Sequence, residues 1–168
     1  NTLNIINVGR LVDQKDQMTL LKALNSIKKK IKFKLLIIGN GQLKNFLINY
    51  IKSNYLQNSI KIIKFKKNPF PYYKKSNLLI LSSKFEGLPN VLIEALILDK
   101  HVISSDCPTG PSEILDHGKG GLLFEVGNFL DLSKKIIFLK KNYKSFFKKK
   151  KYAYNRITRF DYKRNLEN

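Results

Sequence analysis

In Leu78-Leu79-Ile80-Leu81-Ser82-Ser83-Lys84-Phe85-Glu86-Gly87-Leu88-Pro89-Asn90-Val91-Leu92-Ile93-Glu94, an apolar run of strand length passes through a Gly/Pro turn into a second apolar run. Leu78 to Leu81 reads as a buried strand because it is short, wholly aliphatic and bounded by turn residues, and Val91 to Leu98 reads as a helix. Pro89 suits the first helical position, where a missing N–H costs nothing. The helix N-terminus then faces back over the strand end, with unpaired N–H groups and a positive dipole aimed at whatever binds there. Such an end favours phosphate. Glu94 lies about a turn inside the helix, where a carboxylate can accept two hydrogen bonds from a ribose diol, and Glu86 on the loop can reach a hydroxyl further along the same ligand. Taken alone, the pair also has a plainer reading: Glu86 caps the loop and Glu94 is a solvated helix residue.

The pattern repeats on either side. Leu3 to Val8 is a strand, Met18 to Ile27 carries Leu20, Leu21, Leu24 and Ile27 at helical spacing, and Phe33 to Ile38 is a strand again. A helix over Leu43 to Ile51, a strand near Ile60 to Phe65 and a short turn-rich helix around Pro71 to Lys75 lead to the strand at Leu78. Beyond the Glu94 helix come a strand at His101-Val102-Ile103-Ser104, a short helix near Ser112 to Leu115, a strand at Gly121 to Phe124, and helices to the C-terminus. Strands alternating with helices predict an α/β domain, a parallel sheet covered on both faces with right-handed crossovers. Ligands of such sheets bind beyond the carboxyl ends of the strands.

Glycine turns fall at those same ends. Gly9-Arg10-Leu11 follows the first strand, Gly39-Asn40-Gly41 the second, Glu86-Gly87 the fourth and Gly110-Pro111-Ser112-Glu113 the fifth, so all four are expected along one edge. Glycine lets backbone approach a ligand closely, and Arg10 with Lys15 adds two cations that suit a diphosphate. The Gly39 turn lacks the third glycine of the dinucleotide fingerprint, which argues against a nicotinamide enzyme.

Composition bounds the remaining possibilities. The chain has 168 residues and 43% hydrophobic content, enough for one globular domain with a proper core. No run reaches the roughly 18 uncharged apolar residues of a membrane span, and Asn1-Thr2-Leu3 does not open a signal peptide, so a cytoplasmic workplace is expected. Cys107 is the single cysteine and reads as a turn residue, since nothing in the sequence sets a base beside it. Two scattered histidines offer no zinc-like grouping, and no Asp-x-Asp pair suggests a metal-held diphosphate.

Six elements stand in order over about residues 3 to 130: Gly9-Arg10-Leu11 with Lys15; Gly39-Asn40-Gly41; Asn68-Pro69-Phe70; Ser82 to Val91 with Glu94-Ala95; Asp106-Cys107-Pro108-Thr109-Gly110-Pro111-Ser112-Glu113-Ile114; and Gly121-Leu122-Leu123 to Gly127. Together they resemble the donor-binding, C-terminal half of the GT-B glycosyltransferases of family 4, or group 1. The resemblance implies two Rossmann-like domains in the whole enzyme, with the active site in the cleft between them. Residues 1–168 are then expected to be the nucleotide-sugar-binding domain alone, with Tyr152 to Asn168 the start of a crossover helix and the acceptor site on an N-terminal domain that is absent. On its own the chain is expected to bind donor and turn over little or nothing.

The same resemblance implies residue roles. Arg10 and Lys15 hold the donor diphosphate and, with Glu86 on the hydroxyls of the donor sugar, form the catalytic group. Glu94 binds the nucleotide ribose, and the backbone around Gly87, Leu88, Pro89 and Asn90, with Gly9, Gly39 and Gly41, lines the substrate site. The implied reaction is retaining transfer of a hexose from a nucleotide-diphosphate sugar, foremost a UDP-sugar, to a polysaccharide or lipid-linked glycan of a bacterial envelope, such as lipopolysaccharide. No metal or resident cofactor is expected. The chain departs from the family pattern in Asp99 and His101, where Gly and Pro are common, and in Lys64, where a glycine often precedes the aromatic near Phe65. His101 opens a strand and reads as structural, and Lys64 lies near the loop where the base would be read.

The net charge of +20 admits further readings. Lysines at 134, 135, 140, 141 and 148 to 151 are interleaved with Phe138, Tyr143, Phe146, Phe147 and Tyr152, a pattern that suits a helix lying on an acidic bilayer. The charge is also spread through a chain rich in Lys, Asn and Ile, so much of it can simply solvate the surface. A basic nucleic-acid-binding module would explain the charge but leaves Glu86, Glu94 and the glycine edge idle, and no nucleic-acid recognition motif is present. A GT-B sugar-nucleotide epimerase or hydrolase, or a domain that binds donor without chemistry, is the nearer alternative.

Overall fold

The computed structural model describes residues 2–157. Six strands, β1 (Leu3–Val8), β2 (Phe33–Ile38), β3 (Ile60–Ile63), β4 (Leu78–Leu81), β5 (His101–Ser105) and β6 (Leu122–Phe124), form one sheet in the order β3-β2-β1-β4-β5-β6. Every adjacent pair is parallel, with Ile5 opposite Leu35 on one side and Leu78 on the other. The chain winds outward from β1 to β3, then returns to the other side of β1 and winds outward again. That reversal opens a crevice above the carboxyl ends of β1 and β4, where open α/β sheets bind their ligands.

Alternation along each strand sends side chains to opposite faces. Leu3 and Ile5, with Leu35, Ile37, Leu78 and Ile80, pack against α1 (Gln17–Ile27), α2 (Lys44–Ser53) and α6 (Phe129–Lys141). Ile6, Ile38, Leu79, Leu81 and Val102 pack against α3 (Phe70–Lys74), α4 (Asn90–Ile97), α5 (Pro111–Ile114) and α7 (Phe146–Arg156). Leu20, Leu21 and Leu24 of α1 are fully buried, each contributing about 1.5 to 3 kcal/mol of burial. Among the described residues no helix is long and apolar enough to cross a membrane.

The basic C-terminal helices are fastened to the domain. Phe146 and Ala153 of α7 are buried, and Ala153 lies so close to Gly120 that a Cβ there would stand 2.8 Å from its own. Lys150 is buried too, in a 2.7 Å ion pair with Asp99 and 4.5 Å from the Phe147 ring centroid. His101 sits beneath this cover, its ring 4.6 Å from Tyr143 and 5.7 Å from Phe147, both edge-on. Of the aromatic residues expected on a bilayer-facing stripe, Phe146 is buried and Tyr143 packs on His101, Tyr152 donates to Asp116, and Phe138 and Phe147 remain exposed. Tyr152 to Arg156 is the second half of α7, which starts at Phe146; the rest of the expected crossover helix lies outside the described residues.

Candidate functional site

Four loops, after β1, β2, β4 and β5, meet above the crevice, and contacts between them fix them to one another. After β1, the amide of Leu11 donates to the Asn40 carbonyl and the amide of Leu43 to the Leu11 carbonyl, stitching this loop to the one after β2. The approach is so close that a Cβ on Gly39 would lie 1.9 Å from the Gly9 carbonyl oxygen, and one on Gly41 would lie 2.3 Å from that of Leu11. On the other side, a Cβ on Gly110 would lie 2.0 Å from the Gly87 carbonyl oxygen, and Gly110 holds φ at +77°. These three glycines are therefore needed for loop to press on loop. Gly87 differs: nothing lies within 4 Å of the position of its Cβ, so its face is open.

The β1 and β4 loops are joined across the crevice. The amide of Lys84 donates to the Gln14 carbonyl at 2.8 Å, the Gln14 side chain donates to the Phe85 carbonyl at 3.0 Å, and Ser82 Oγ donates to the Lys15 carbonyl at 2.9 Å. This brings Lys15 Nζ to 2.6 Å from Glu86 Oε1. Ser83 Oγ donates to the same oxygen at 2.5 Å, and neither bond engages Oε2. The pair is well shielded, with side-chain exposures of 18% and 7% for Lys15 and Glu86, so each charge needs the other or a ligand in its place. Ser105 Oγ donates to the Ser83 carbonyl, and Thr109 Oγ1 to the carbonyl of Glu86 itself. Arg10 stands at the exposed rim, held lightly by Gln14 at 3.3 Å, while the Gln17 side chain donates to its carbonyl.

Helix α4 runs over Asn90–Ile97, against the expected Val91 to Leu98, and Pro89, expected at the first helical position, is instead buried in extended conformation (φ −75°, ψ 92°) as the residue before the helix. The proline packs against Gly110, where an added Cβ would stand 2.6 Å from the Pro89 ring. No side chain caps this helix, and the loop of Glu86 and Gly87 leads directly into its N-terminus. Leu88 and Asn90 are exposed beside it. Glu94 is not a freely solvated helix residue. It is half-buried, and the hydroxyl of Tyr73, a fully buried residue of α3, donates to its Oε2 at 3.1 Å. Desolvation raises the Glu94 carboxyl above its usual range while the Tyr73 bond pulls it back; burial drives the Tyr73 phenol far above its own, so the hydroxyl stays a donor.

The fold thus brings Gly9, Arg10, Lys15, Glu86, Gly87, Leu88, Pro89, Asn90 and Glu94 to one edge, with Gly39 and Gly41 wedged behind the first loop. Lys15 and Glu86, expected on different parts of a ligand, are in contact with each other here. Sequence reasoning missed Gln14, Ser83, Ser105 and Tyr73. Ser83 sits in a stretch singled out for other residues, and Tyr73, in a five-residue helix, carries no signal beyond that of a core aromatic. Cys107 is buried and its thiol is pushed up by burial, as suits a turn residue. Among the described residues no three His, Cys, Asp or Glu side chains gather as a metal-ligand group. A cavity of about 370 Å³ lies elsewhere, with Ile6, Leu36, Ile60 and Tyr72 among its lining residues.

Comparison with known proteins gives this geometry a context. The family model described as glycosyl transferases group 1 matches residues 1–156. An uncharacterised glycosyltransferase, MJ1059 of Methanocaldococcus jannaschii, is 48% identical over 111 residues, 66% of this chain and 27% of that protein. An N-acetylgalactosamine-N,N'-diacetylbacillosaminyl-diphospho-undecaprenol 4-alpha-N-acetylgalactosaminyltransferase of Campylobacter jejuni is 36% identical over 124 residues, 74% of this chain and 33% of that one. The chain thus spans about a third or less of the length of these two relatives. The crystal structure of a single-residue mutant of Staphylococcus aureus TarM, in complex with Fondaparinux, alpha-GlcNAc-glycerol and UDP, superposes with a TM-score of 0.89 at 24% identity. The superposition covers 98% of this chain and 34% of that one, and the fold is shared.

Proposed function

The chain belongs to the glycosyl transferases of group 1, and from that membership we propose that it is the donor-binding, C-terminal half of a retaining glycosyltransferase of the family 4 type. The observation that carries this reading is the junction of the loops after β1, β2, β4 and β5, which pairs Lys15 with Glu86 ahead of the uncapped α4 and keeps Arg10 and Glu94 on the same edge of the sheet. A nucleotide-diphosphate sugar presents groups in the matching order. Its ribose diol meets Glu94, its diphosphate meets Arg10, Lys15 and the first amides of α4, and its sugar hydroxyls meet Glu86 and the open backbone of Gly87 and Leu88.

The chemistry follows from those placements. As the glycosidic bond to the diphosphate breaks, negative charge grows on the leaving oxygens, and two cations with a helix N-terminus stabilise that charge more than they stabilise the ground state. Lys15 is poised for this because Glu86 holds it in place before the ligand arrives, so little reorganisation is needed. Neither a metal nor a resident cofactor enters this account. UDP, present in the TarM structure, is the first nucleotide to test. A lipid-linked glycan, of the kind named in the C. jejuni relative, is the acceptor class we favour, which would set the enzyme's work at the cytoplasmic face of a membrane.

Titrating the 168-residue chain with UDP, GDP, ADP and their sugar conjugates by ligand-observed NMR tests the reading. Saturable binding of one nucleotide, weakened by both Glu94→Ala and Arg10→Ala, is the expected result. Absence of any nucleotide binding, alongside tight salt-sensitive binding of nucleic acid, would overturn it.

A further inference from the structure

Each glutamate of the site is held by one buried hydroxyl on one of its two oxygens. Ser83, with no accessible surface, donates to Glu86 Oε1 at 2.5 Å. Tyr73, likewise without accessible surface, donates to Glu94 Oε2 at 3.1 Å and lies 3.4 Å from the Val91 carbonyl, one turn back on the same helix. Both hydroxyls belong to rigid parts of the fold. Ser83 is the second residue after β4, and its carbonyl is pinned by Ser105 at the end of β5; Tyr73 lies in α3, packed among Ile6, Leu79 and Leu92. A carboxylate with one oxygen tied to the scaffold has lost rotation about its last bond, and its second oxygen points in one direction. For Glu86 that oxygen is Oε2, and for Glu94 it is Oε1.

Resting on the donor-site reading above, we propose that Ser83 and Tyr73 are positioning residues with separate duties: Ser83 aims Glu86 at the hydroxyls of the donor sugar, and Tyr73 aims Glu94 at the ribose diol. Neither touches the donor. Lys15 also donates to Glu86 Oε1, so when its ammonium is shared with the diphosphate, Ser83 is the uncharged tether that keeps that carboxylate in register. The two hydroxyls lie on different elements and are joined to different carboxylates, so the specificity of the site divides into a sugar part and a ribose part that vary independently.

The division is tested with two ratios of dissociation constants. One compares 3′-deoxy-UDP with UDP and reports ribose recognition. The other compares UDP with UDP-N-acetylglucosamine or UDP-N-acetylgalactosamine, whichever the unaltered chain binds more tightly, and reports sugar recognition. Tyr73→Phe keeps the ring and its packing and should cut the first ratio about fivefold, the worth of one net hydrogen bond, leaving the second unchanged. Ser83→Ala should do the reverse. A general loosening of the fold would lower both ratios together in either variant, and that outcome overturns the proposal, as does retention of both ratios. Each variant decides its own half, so failure of one to fold leaves the other decisive. If the unaltered chain binds UDP and 3′-deoxy-UDP equally, the ribose role of Glu94 fails instead, before any variant is made.

Discussion

Two buried or half-buried ionisable residues make stability respond to pH in opposite senses, one at the site and the other in the fold. Glu94 has its carboxyl raised by desolvation. An acid whose folded value exceeds its unfolded one gives up stability as pH rises through that interval, so at neutrality the charged Glu94 strains the empty domain. Glu94→Gln should therefore raise Tm at pH 7 while weakening UDP binding about tenfold or more, the worth of a hydrogen bond to a charged group; calorimetry and NMR titration of one preparation read both. A lower Tm would mean that the carboxylate is needed by the fold. His101 behaves oppositely. Burial, with Lys150 nearby, pushes its imidazole down to about 4 from 6.5. Between those values the unfolded chain holds the extra proton, so the contribution is complete above about pH 6.5 and drains away toward pH 4. His101→Phe, which suits a site ringed by Tyr143, Phe146 and Phe147, should flatten the fall of Tm between about pH 7 and 4.5. An unchanged slope would assign that sensitivity to other groups. Glu86 and Glu94 were legible in the sequence because an acid beside a Gly/Pro turn is conspicuous in a lysine-rich chain. Their partners were not, because Tyr73 and Lys15 approach them across 21 and 71 positions, and only the folded sheet closes those distances.

Elements were legible where a single period ran long enough, as in β1, α1 and β2, whose observed spans match the sequence reading within a residue. Boundaries slipped where local chemistry competed: β3 ends at Ile63 instead of continuing to Phe65, whose amide turns to Asn40 Oδ1, and Pro89, packed against Gly110, stays extended ahead of α4 instead of opening it. The glycine turns were placed on the correct edge, but their stated use was to admit a ligand. For Gly39, Gly41 and Gly110 the neighbour is another loop, and only Gly87 faces open space. This separates four similar-looking residues. Gly39→Ala and Gly110→Ala should each cost more than about 2 kcal/mol in urea denaturation, since backbone must shift to admit the methyl. Gly87→Ala should stay within about 0.5 kcal/mol and act on ligand binding alone. Equal costs for Gly87 and Gly110 would contradict this assignment. Clustered lysines have a similarly local explanation in two helices: α1 runs into Lys28, Lys29 and Lys30, and α6 ends in Lys140 and Lys141, where positive charge complements the helix dipole.

At the scale of the whole molecule, the charge of +20 and the inward turn of α7 give opposite indications about surfaces. Charge alone draws the chain to any polyanion, but a bilayer anchor also needs apolar groups to insert, and Phe146 is spent on the core. Flotation with anionic vesicles should accordingly show binding at low ionic strength that is lost near physiological salt, where screening acts over about 8 Å. Retention at physiological salt would assign the exposed Phe138 and Phe147 to the membrane. The joined loops carry a different kind of consequence, for descent and for engineering. Because the Gly87 turn bears directly on the Gly110 turn, and the Gly9 turn on those of Gly39 and Gly41, none of these segments can be exchanged between relatives as a free cassette. A chimera that imports the 84–90 segment should keep its melting temperature only when 106–112 comes from the same parent, so that new sugar preferences in this lineage would arise by paired inheritance of loops, like a key cut together with its lock.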